Sequence, residues 1–123
     1  MLSDLFLFVE DVARAFDVIL HKGDVGKIYN IGGANEISNK DVAKTLIKIL
    51  GKSDRQDALM TFVPDRKFND LRYTINSGKL HELGWKEEVT WEEGLARTVD
   101  WYKKYTSRYG NIDAALVAHP RLT

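Results

Sequence analysis

The 123-residue chain contains no cysteine. Disulfides, thiolate metal sites and a cysteine nucleophile are therefore excluded, and we expect a reducing, cytoplasmic setting. The three histidines are scattered along the sequence without the spacing of metal ligands, so no metal site is expected.

An excess of charge of either sign is also missing. Eighteen basic residues balance eighteen acidic ones, whereas binding to nucleic acid favours a basic surface. Apolar runs such as residues 5–9 are far shorter than the ~20 residues that cross a bilayer. Neither nucleic acid nor a membrane is therefore an expected partner.

A dinucleotide-binding fingerprint is absent as well. Such a fingerprint needs closely spaced glycines that let the backbone approach a pyrophosphate. Gly23 and Gly26 are followed by Tyr29 where a third glycine would stand. We therefore expect no cofactor-binding residues on this chain.

Hydrophobic periodicity predicts strands that alternate with helices. The predicted strands are residues 5–9, 26–31, 60–63 and 73–75, and the predicted helices are residues 9–22, 38–51, 77–83 and one that starts at Thr90. Residues 52–59 are predicted to be a loop. The alternation indicates an α/β fold in a single domain, residues 1–123, with a weakly structured tail at residues 111–123.

Local signals mark how these helices begin. Both 38–41 and 90–93 have the spacing of a capping box. Glu10 and Asp11 stand at the start of the first helix, where acidic side chains complement the helix dipole. We interpret these two carboxylates in that way rather than as catalytic groups.

The most informative segment is residues 65–73, Asp-Arg-Lys-Phe-Asn-Asp-Leu-Arg-Tyr. Its two arginines could each offer paired donors to phosphate oxygens, which suits a diphosphate. Its asparagine could contact a sugar or a base. On residue types alone a second interpretation is equally open, in which the arginines and aspartates of the segment pair with one another on the surface.

Motifs on both sides of this segment carry a family resemblance. They are Val-Glu-Asp-Val-Ala at 9–13, Tyr-Asn-Ile-Gly-Gly-Ala-Asn-Glu at 29–36, Leu-Gly-Trp at 83–85 and Thr-Trp-Glu-Glu-Gly-Leu at 90–95. In this order the chain resembles, over about residues 6–105, the C-terminal part of nucleotide-sugar 4,6-dehydratases. These are extended short-chain dehydrogenases/reductases of the NAD(P)-binding Rossmann-like superfamily, and the UDP-glucose and dTDP-glucose enzymes are the most similar. The resemblance implies the C-terminal substrate-binding part of such a fold without its N-terminal cofactor-binding half.

The resemblance also implies a set of substrate-binding residues. Asn39 takes the place of the family's nucleotide-binding asparagine, although from the residues alone a capping or solvent-facing role is the simpler interpretation. Arg66 and Asn69 match phosphate and nucleotide contacts, and Asp65 and Arg72 complete the set.

One position departs from the family pattern. Asp4 stands where the family usually has a phosphate-binding arginine. A carboxylate there would oppose a diphosphate.

The function implied is binding of a nucleoside-diphosphate sugar, UDP-glucose or dTDP-glucose, within an NAD-dependent 4,6-dehydratase that forms the 4-keto-6-deoxy sugar in a rhamnose-type pathway. No catalytic residue is expected, because the family's tyrosine-lysine pair and Thr-Asp-Glu cluster have no counterpart in this sequence. Two alternatives stay open: part of a related nucleotide-sugar epimerase or decarboxylase, and a non-catalytic binding or interaction module of the same origin.

The oligomeric state is not determined by the sequence. The resemblance implies that the apolar face of residues 6–20 would pack on a sheet that this chain does not contain. An uncovered face of that size favours association.

Overall fold

The computed structural model describes residues 3–34, 36–62 and 75–113. Within these ranges the chain forms two short strands, five α-helices and two one-turn 3₁₀ helices. In chain order they are β1 (Ser3–Leu5), α1 (Val9–Lys22), β2 (Glu36–Ser38), α2 (Asn39–Ile49), the 3₁₀ helix Ser53–Arg55, α3 (Gln56–Leu59), α4 (Gly78–Glu82), α5 (Trp91–Lys104) and the 3₁₀ helix Thr106–Tyr109.

The two strands form an antiparallel pair. Ser3 lies opposite Ser38, Asp4 opposite Ile37 and Leu5 opposite Glu36. Since Ser38 is also the N-cap of α2, this pairing holds the start of α2 beside β1.

Helix boundaries follow the local signals. Ser38 Oγ accepts a hydrogen bond from Asp41 N at 3.1 Å and donates one to Asp41 Oδ2 at 2.6 Å. Thr90 Oγ1 accepts from Glu93 N at 3.3 Å, while the Glu93 carboxylate lies 3.7 Å from Arg97 Nη1. The N-cap half of each capping box is confirmed, while the Asp41 carboxylate bonds to the hydroxyl of Ser38. Gly84, with φ of 93°, ends α4 in the left-handed conformation that glycine adopts most easily.

The strand predictions were mostly wrong. Of residues 5–9 only Leu5 is in a strand, and residues 26–31 and 60–62 form none. Apolar residues predict burial, but a strand also needs a hydrogen-bonding neighbour, which an apolar run does not specify. The predicted loop at 52–59 was also wrong, because it contains a 3₁₀ helix and α3. Residues 63 and 73–74 of two predicted strands lie outside the described ranges, as does most of the predicted tail.

A buried carboxylate ties α1 to the loop before α5. Asp11 is fully buried, and its two carboxylate oxygens accept hydrogen bonds from Glu88 N and Val89 N, each at 3.1 Å. Arg14 pairs with the same carboxylate. Asp11 therefore does much more than complement the helix dipole, and our sequence-based interpretation of it was incomplete.

The core lies between α1 and α4. Ala15, Leu80 and Trp85 are buried at its centre, and the partly buried residues Leu7, Val18, Ile19 and Ile31 pack around them. Trp85 Nε1 donates to the Asp11 carbonyl at 3.0 Å, so the indole is both packed and hydrogen-bonded. None of the helices in the described ranges has the length and apolar character needed to cross a membrane.

One side of α1 and the loop after it remain uncovered. Phe16 is 62% exposed and Leu20 80%, and Val25 and Ile28 beyond the helix are exposed as well. We call these four residues the open apolar face. We expected the apolar face of residues 6–20 to lack a partner, and this holds only in part, at Phe16 and Leu20, since Ala15 is buried and Leu7, Val18 and Ile19 pack in the core.

We expect Asp11→Ala to lower the free energy of unfolding by about 2–4 kcal/mol, because two backbone amides and Arg14 would lose their acceptor. Urea unfolding measures this loss. Glu10→Ala is the matched control: Glu10 pairs with Arg97 at 2.6 Å, but both side chains are about half exposed, so its loss should cost less than about 1 kcal/mol. Equal losses in the two variants would contradict the role assigned to Asp11.

The open apolar face should make the chain self-associate. We expect the sedimentation coefficient to rise with protein concentration, and the double variant Phe16→Glu/Leu20→Glu to suppress that rise, since charge opposes apolar contact. Leu59→Glu/Ile112→Glu adds the same charge at two other exposed apolar positions and should leave association unchanged. A parent chain that stays monomeric at high concentration would refute the prediction.

Candidate functional site

Of the predicted substrate-binding residues, the structure describes Asn39. It is the first residue of α2, exposed, directly after the N-cap Ser38. Asp65, Arg66, Asn69 and Arg72 lie in residues 63–74, outside the described ranges. The described residues on either side of this stretch, Phe62 and residues 75–77, make contacts of their own.

The leading end is attached beside α2. Phe62 is the last described residue before the stretch, and Lys40 Nζ lies 5.9 Å from the centroid of its ring, within the range of a cation–π contact. Lys40 follows Asn39 in the first turn of α2. Phe62 therefore contacts the residue that follows the predicted nucleotide-binding asparagine.

The trailing end is attached to the segment that precedes β2. Ser77 Oγ donates to the Gly32 carbonyl at 3.2 Å, and Asn30 Nδ2 donates to the Asn76 carbonyl at 3.4 Å. A Cβ placed on Gly32 would lie only 2.8 Å from Cβ of Ile75. Glycine is required at position 32 because Ile75 packs directly against the backbone there.

The turn formed by Gly32, Gly33 and Ala34 lies between these two attachments. A Cβ on Gly33 would come within 2.7 Å of the Phe6 carbonyl oxygen, so this glycine is also required by close approach of the backbone. Phe62 on one side of residues 63–74 and residues 75–77 on the other thus contact one part of the sequence, residues 30–40.

The start of α2 favours an anion only in part. The N–H groups and the dipole at a helix N-terminus favour negative charge, and Lys40 adds a cation, but Asp41 places a carboxylate in the same turn and its N–H is already bonded to the Ser38 hydroxyl. Asp4 opposes an anion as well, since β1 places it opposite Ile37, two residues before Asn39. The described residues contain no cluster of His, Cys, Asp and Glu that could hold a metal ion.

An open groove of about 590 Å³ borders the trailing attachment. It is lined by Phe16, Ile19, Lys27, Tyr29, Asn30, Ile31, Ile75 and Asn76. A hydrogen bond from Lys27 and its positive charge lower the pKa of Asp24, and the same hydrogen bond and the Asp24 charge raise the pKa of Lys27. The Lys27 cation in the groove is therefore paired with Asp24, whose Oδ2 lies 2.8 Å from Lys27 Nζ.

Sequence reasoning missed Glu87. Its Oε2 accepts a hydrogen bond from Ala34 N at 3.0 Å, so it holds the turn that leads to β2. A glutamate in a Lys-Glu-Glu run has the appearance of a solvated surface charge, and no local signal in the sequence distinguishes it.

Comparison with known proteins agrees with the resemblance in the sequence. Residues 4–98 match the family described as GDP-mannose 4,6 dehydratase. A trifunctional UDP-glucose 4,6-dehydratase/UDP-4-keto-6-deoxy-D-glucose 3,5-epimerase/UDP-4-keto-L-rhamnose-reductase of Arabidopsis thaliana is 47% identical over 117 residues. That match covers 95% of this chain and 17% of the plant protein.

Two solved structures share the fold. The dTDP-glucose 4,6-dehydratase of Bacillus anthracis, in complex with NAD, is 41% identical with a TM-score of 0.75, over 87% of this chain and 33% of that chain. The dTDP-glucose 4,6-dehydratase of Streptomyces venezuelae, with NAD and TYD bound, is 34% identical with a TM-score of 0.78, over 89% of this chain and 33% of that chain. The chain therefore spans about a third or less of the length of these relatives. The likeness confirms the predicted fold class, an α/β fold of the extended short-chain dehydrogenase/reductase type.

Proposed function

Because the chain belongs to the GDP-mannose 4,6 dehydratase family, we propose that it is the part of an NAD-dependent nucleoside-diphosphoglucose 4,6-dehydratase that binds the nucleoside diphosphate. The observation that supports this most strongly is the set of contacts made by the residues that flank 63–74. Phe62 contacts Lys40 at the start of α2, and Ser77 bonds to Gly32. The described residues before and after the arginine-rich stretch therefore contact residues 32–40, the segment that carries Asn39.

In this proposal the arginines bind phosphate. Arg66 and Arg72 offer paired donors to the diphosphate oxygens. Asn39 and Asn69 contact the nucleotide, and Asp65 belongs to the same substrate-binding set. Asp4 stays a source of repulsion, so we expect weak binding.

The contribution of this chain to the reaction is binding and orientation. The complete reaction would convert NDP-glucose to NDP-4-keto-6-deoxyglucose in a rhamnose-type pathway, with NAD supplying the hydride chemistry. We assign no residue of this chain to NAD or to catalysis. Holding the remote nucleoside diphosphate contributes binding energy that positions the glucose for chemistry elsewhere.

The proposed ligands are UDP-glucose and dTDP-glucose, in a cytoplasmic setting without nucleic acid. A UDP-glucose activity is named for the plant relative and dTDP-glucose for both solved structures.

A non-catalytic module of the same origin would bind the same ligands. A nucleotide-sugar epimerase or decarboxylase would share the scaffold, and substrate conversion by a complete protein would distinguish it.

Arg66→Ala should abolish binding of UDP and dTDP. We expect the parent chain to bind them with a Kd of about 0.1–10 mM, and Arg66→Ala to lose at least about tenfold, because a charge-assisted phosphate contact disappears. Lys67→Ala removes a neighbouring cation and should change affinity little. NMR titration measures both variants. Unchanged affinity in Arg66→Ala would favour the alternative interpretation, an ordinary ion-paired surface segment.

The purified chain supplied with NAD should not convert UDP-glucose or dTDP-glucose to a 4-keto sugar, since it has neither a glycine fingerprint nor a tyrosine-lysine pair. Absorbance of the 4-keto product in alkali measures turnover, and isothermal titration measures NAD binding. A 4-keto product, or saturable NAD binding at micromolar concentration, would overturn the assignment of a binding part only.

A further inference from the structure

A second groove, of about 780 Å³, is formed by the segment that leads into α1, by the loop before α5 and by α5 itself. Its aromatic lining consists of Phe6, Phe8, Trp91, Trp101, Tyr102 and Tyr109. The volume is within the range of ligand-binding pockets, and aromatic side chains provide a large apolar surface.

Three of these aromatic side chains form an exposed cluster. Trp101, Tyr102 and Tyr109 are between 42 and 52% exposed, and their ring centroids lie 5.3 to 6.3 Å from one another. We call these three residues the aromatic cluster. Tryptophan and tyrosine are enriched among the residues that contribute most to binding at interfaces. The aromatic cluster therefore has the composition of a contact surface, although its rings are about half open to water.

The charged side chains in the lining already have partners. Arg97 Nη2 pairs with Glu10 Oε2 at 2.6 Å, and Glu87 accepts the hydrogen bond from Ala34 N. A charged ligand would have to compete with these contacts. The groove therefore favours an uncharged, apolar occupant.

The chain itself leads an apolar segment to this groove. The 3₁₀ helix that follows α5 ends at Tyr109, which lines the groove, and the described range ends four residues later at Asp113. The next five residues in the sequence, 114–118, are Ala-Ala-Leu-Val-Ala. They carry no charge and can span about 17 Å when extended, so the aromatic cluster is within their reach.

Attachment to the same chain favours this segment over a free ligand. A short flexible connection gives an attached segment an effective concentration in the millimolar range. Only residues 110–113 separate Tyr109 from the apolar segment. A segment that would bind weakly as a separate peptide can therefore occupy the groove.

We propose that residues 114–118 of the same chain pack in this groove, against the aromatic cluster. Leu116 and Val117 have the largest side chains of the segment and bury most of the apolar surface. The contact gives a role to residues that the sequence predicts as a weakly structured tail, and it is independent of nucleotide binding.

Two tail variants test the contact from one side. Leu116→Glu/Val117→Glu places two charges within the apolar segment and should release it, since burying an unpaired charge is costly. Leu122→Glu/Thr123→Glu places the same two charges beyond the segment and is the matched control.

Two variants of α5 test the contact from the other side. Tyr102→Ala removes one ring of the aromatic cluster, and Lys103→Ala changes an exposed neighbour that does not line the groove. All four variants are made in the Phe16→Glu/Leu20→Glu chain, which we expect to be monomeric and whose two changes lie outside the groove. This chain is the background chain.

NMR measures the contact directly. In the background chain we expect backbone order parameters of about 0.8 for residues 114–118, and NOEs from the methyl groups of Leu116 and Val117 to ring protons of the aromatic cluster. Leu116→Glu/Val117→Glu and Tyr102→Ala should lower these order parameters below about 0.6. The two controls should keep the values of the background chain.

The tryptophan side chains report on the fold in the same spectra. The indole N–H signal of Trp101 should shift when the tail is released. The signal of Trp85, which donates to the Asp11 carbonyl in the core, should stay in place. If Tyr102→Ala displaces the Trp85 signal, its fold is altered and the two tail variants decide the test.

Order parameters below about 0.6 for residues 114–118 in the background chain would overturn the inference, because the groove would then be left to a different partner. Equal effects of Leu116→Glu/Val117→Glu and its control would overturn it as well. Mixing isotope-labelled with unlabelled chains separates contacts within one chain from contacts between two. NOEs between the tail of one copy and the rings of another would contradict the proposed contact and make the groove an interface between copies.

Discussion

The organisation of the described structure depends on the buried carboxylate of Asp11. Its oxygens accept from two backbone amides that are 77 and 78 residues away in the sequence, and Arg14 balances its charge. A carboxylate out of water is stable only with such partners. These bonds fix the start of α1 against the loop before α5, and the same loop carries Glu87, which accepts a hydrogen bond from Ala34 N.

In the described ranges, several pairs of distant segments are joined by a single hydrogen bond each. The one ladder in the described ranges, between β1 and β2, spans three residue pairs. Further long-range hydrogen bonds in the described ranges include four between a side chain and the backbone, at Trp85, Ser77, Asn30 and Glu87, and one between the side chains of Arg97 and Glu10. Each of these contacts has one donor and one acceptor, whereas a β ladder consists of several hydrogen bonds, so losing one leaves the others in place. The geometry around residues 30–40 is therefore sensitive to individual side chains.

Features with local causes could be predicted from the sequence. Periodicity and caps located α1, α2, α4 and α5, because a helix bonds within its own segment. The strands could not be located, since β2 exists only through its pairing with β1 and its three residues, Glu-Ile-Ser, are too few for an alternation to be recognised. At the site, the family resemblance selected Asn39, which the structure places at the start of α2. The roles of Asp11 and Glu87 depend on where the amides of residues 34, 88 and 89 lie in space, and no spacing in the sequence encodes that.

The open apolar face also affects how long the protein would survive in a cell. Chaperones and proteases act on chains that expose apolar surface or open readily, and Phe16, Leu20, Val25 and Ile28 present such surface in the folded state. A chain whose open apolar face is covered would be protected from degradation, and a chain whose face is exposed would be degraded. The steady-state amount of this protein would then be set by the supply of whatever surface covers α1, independently of how fast the chain is made.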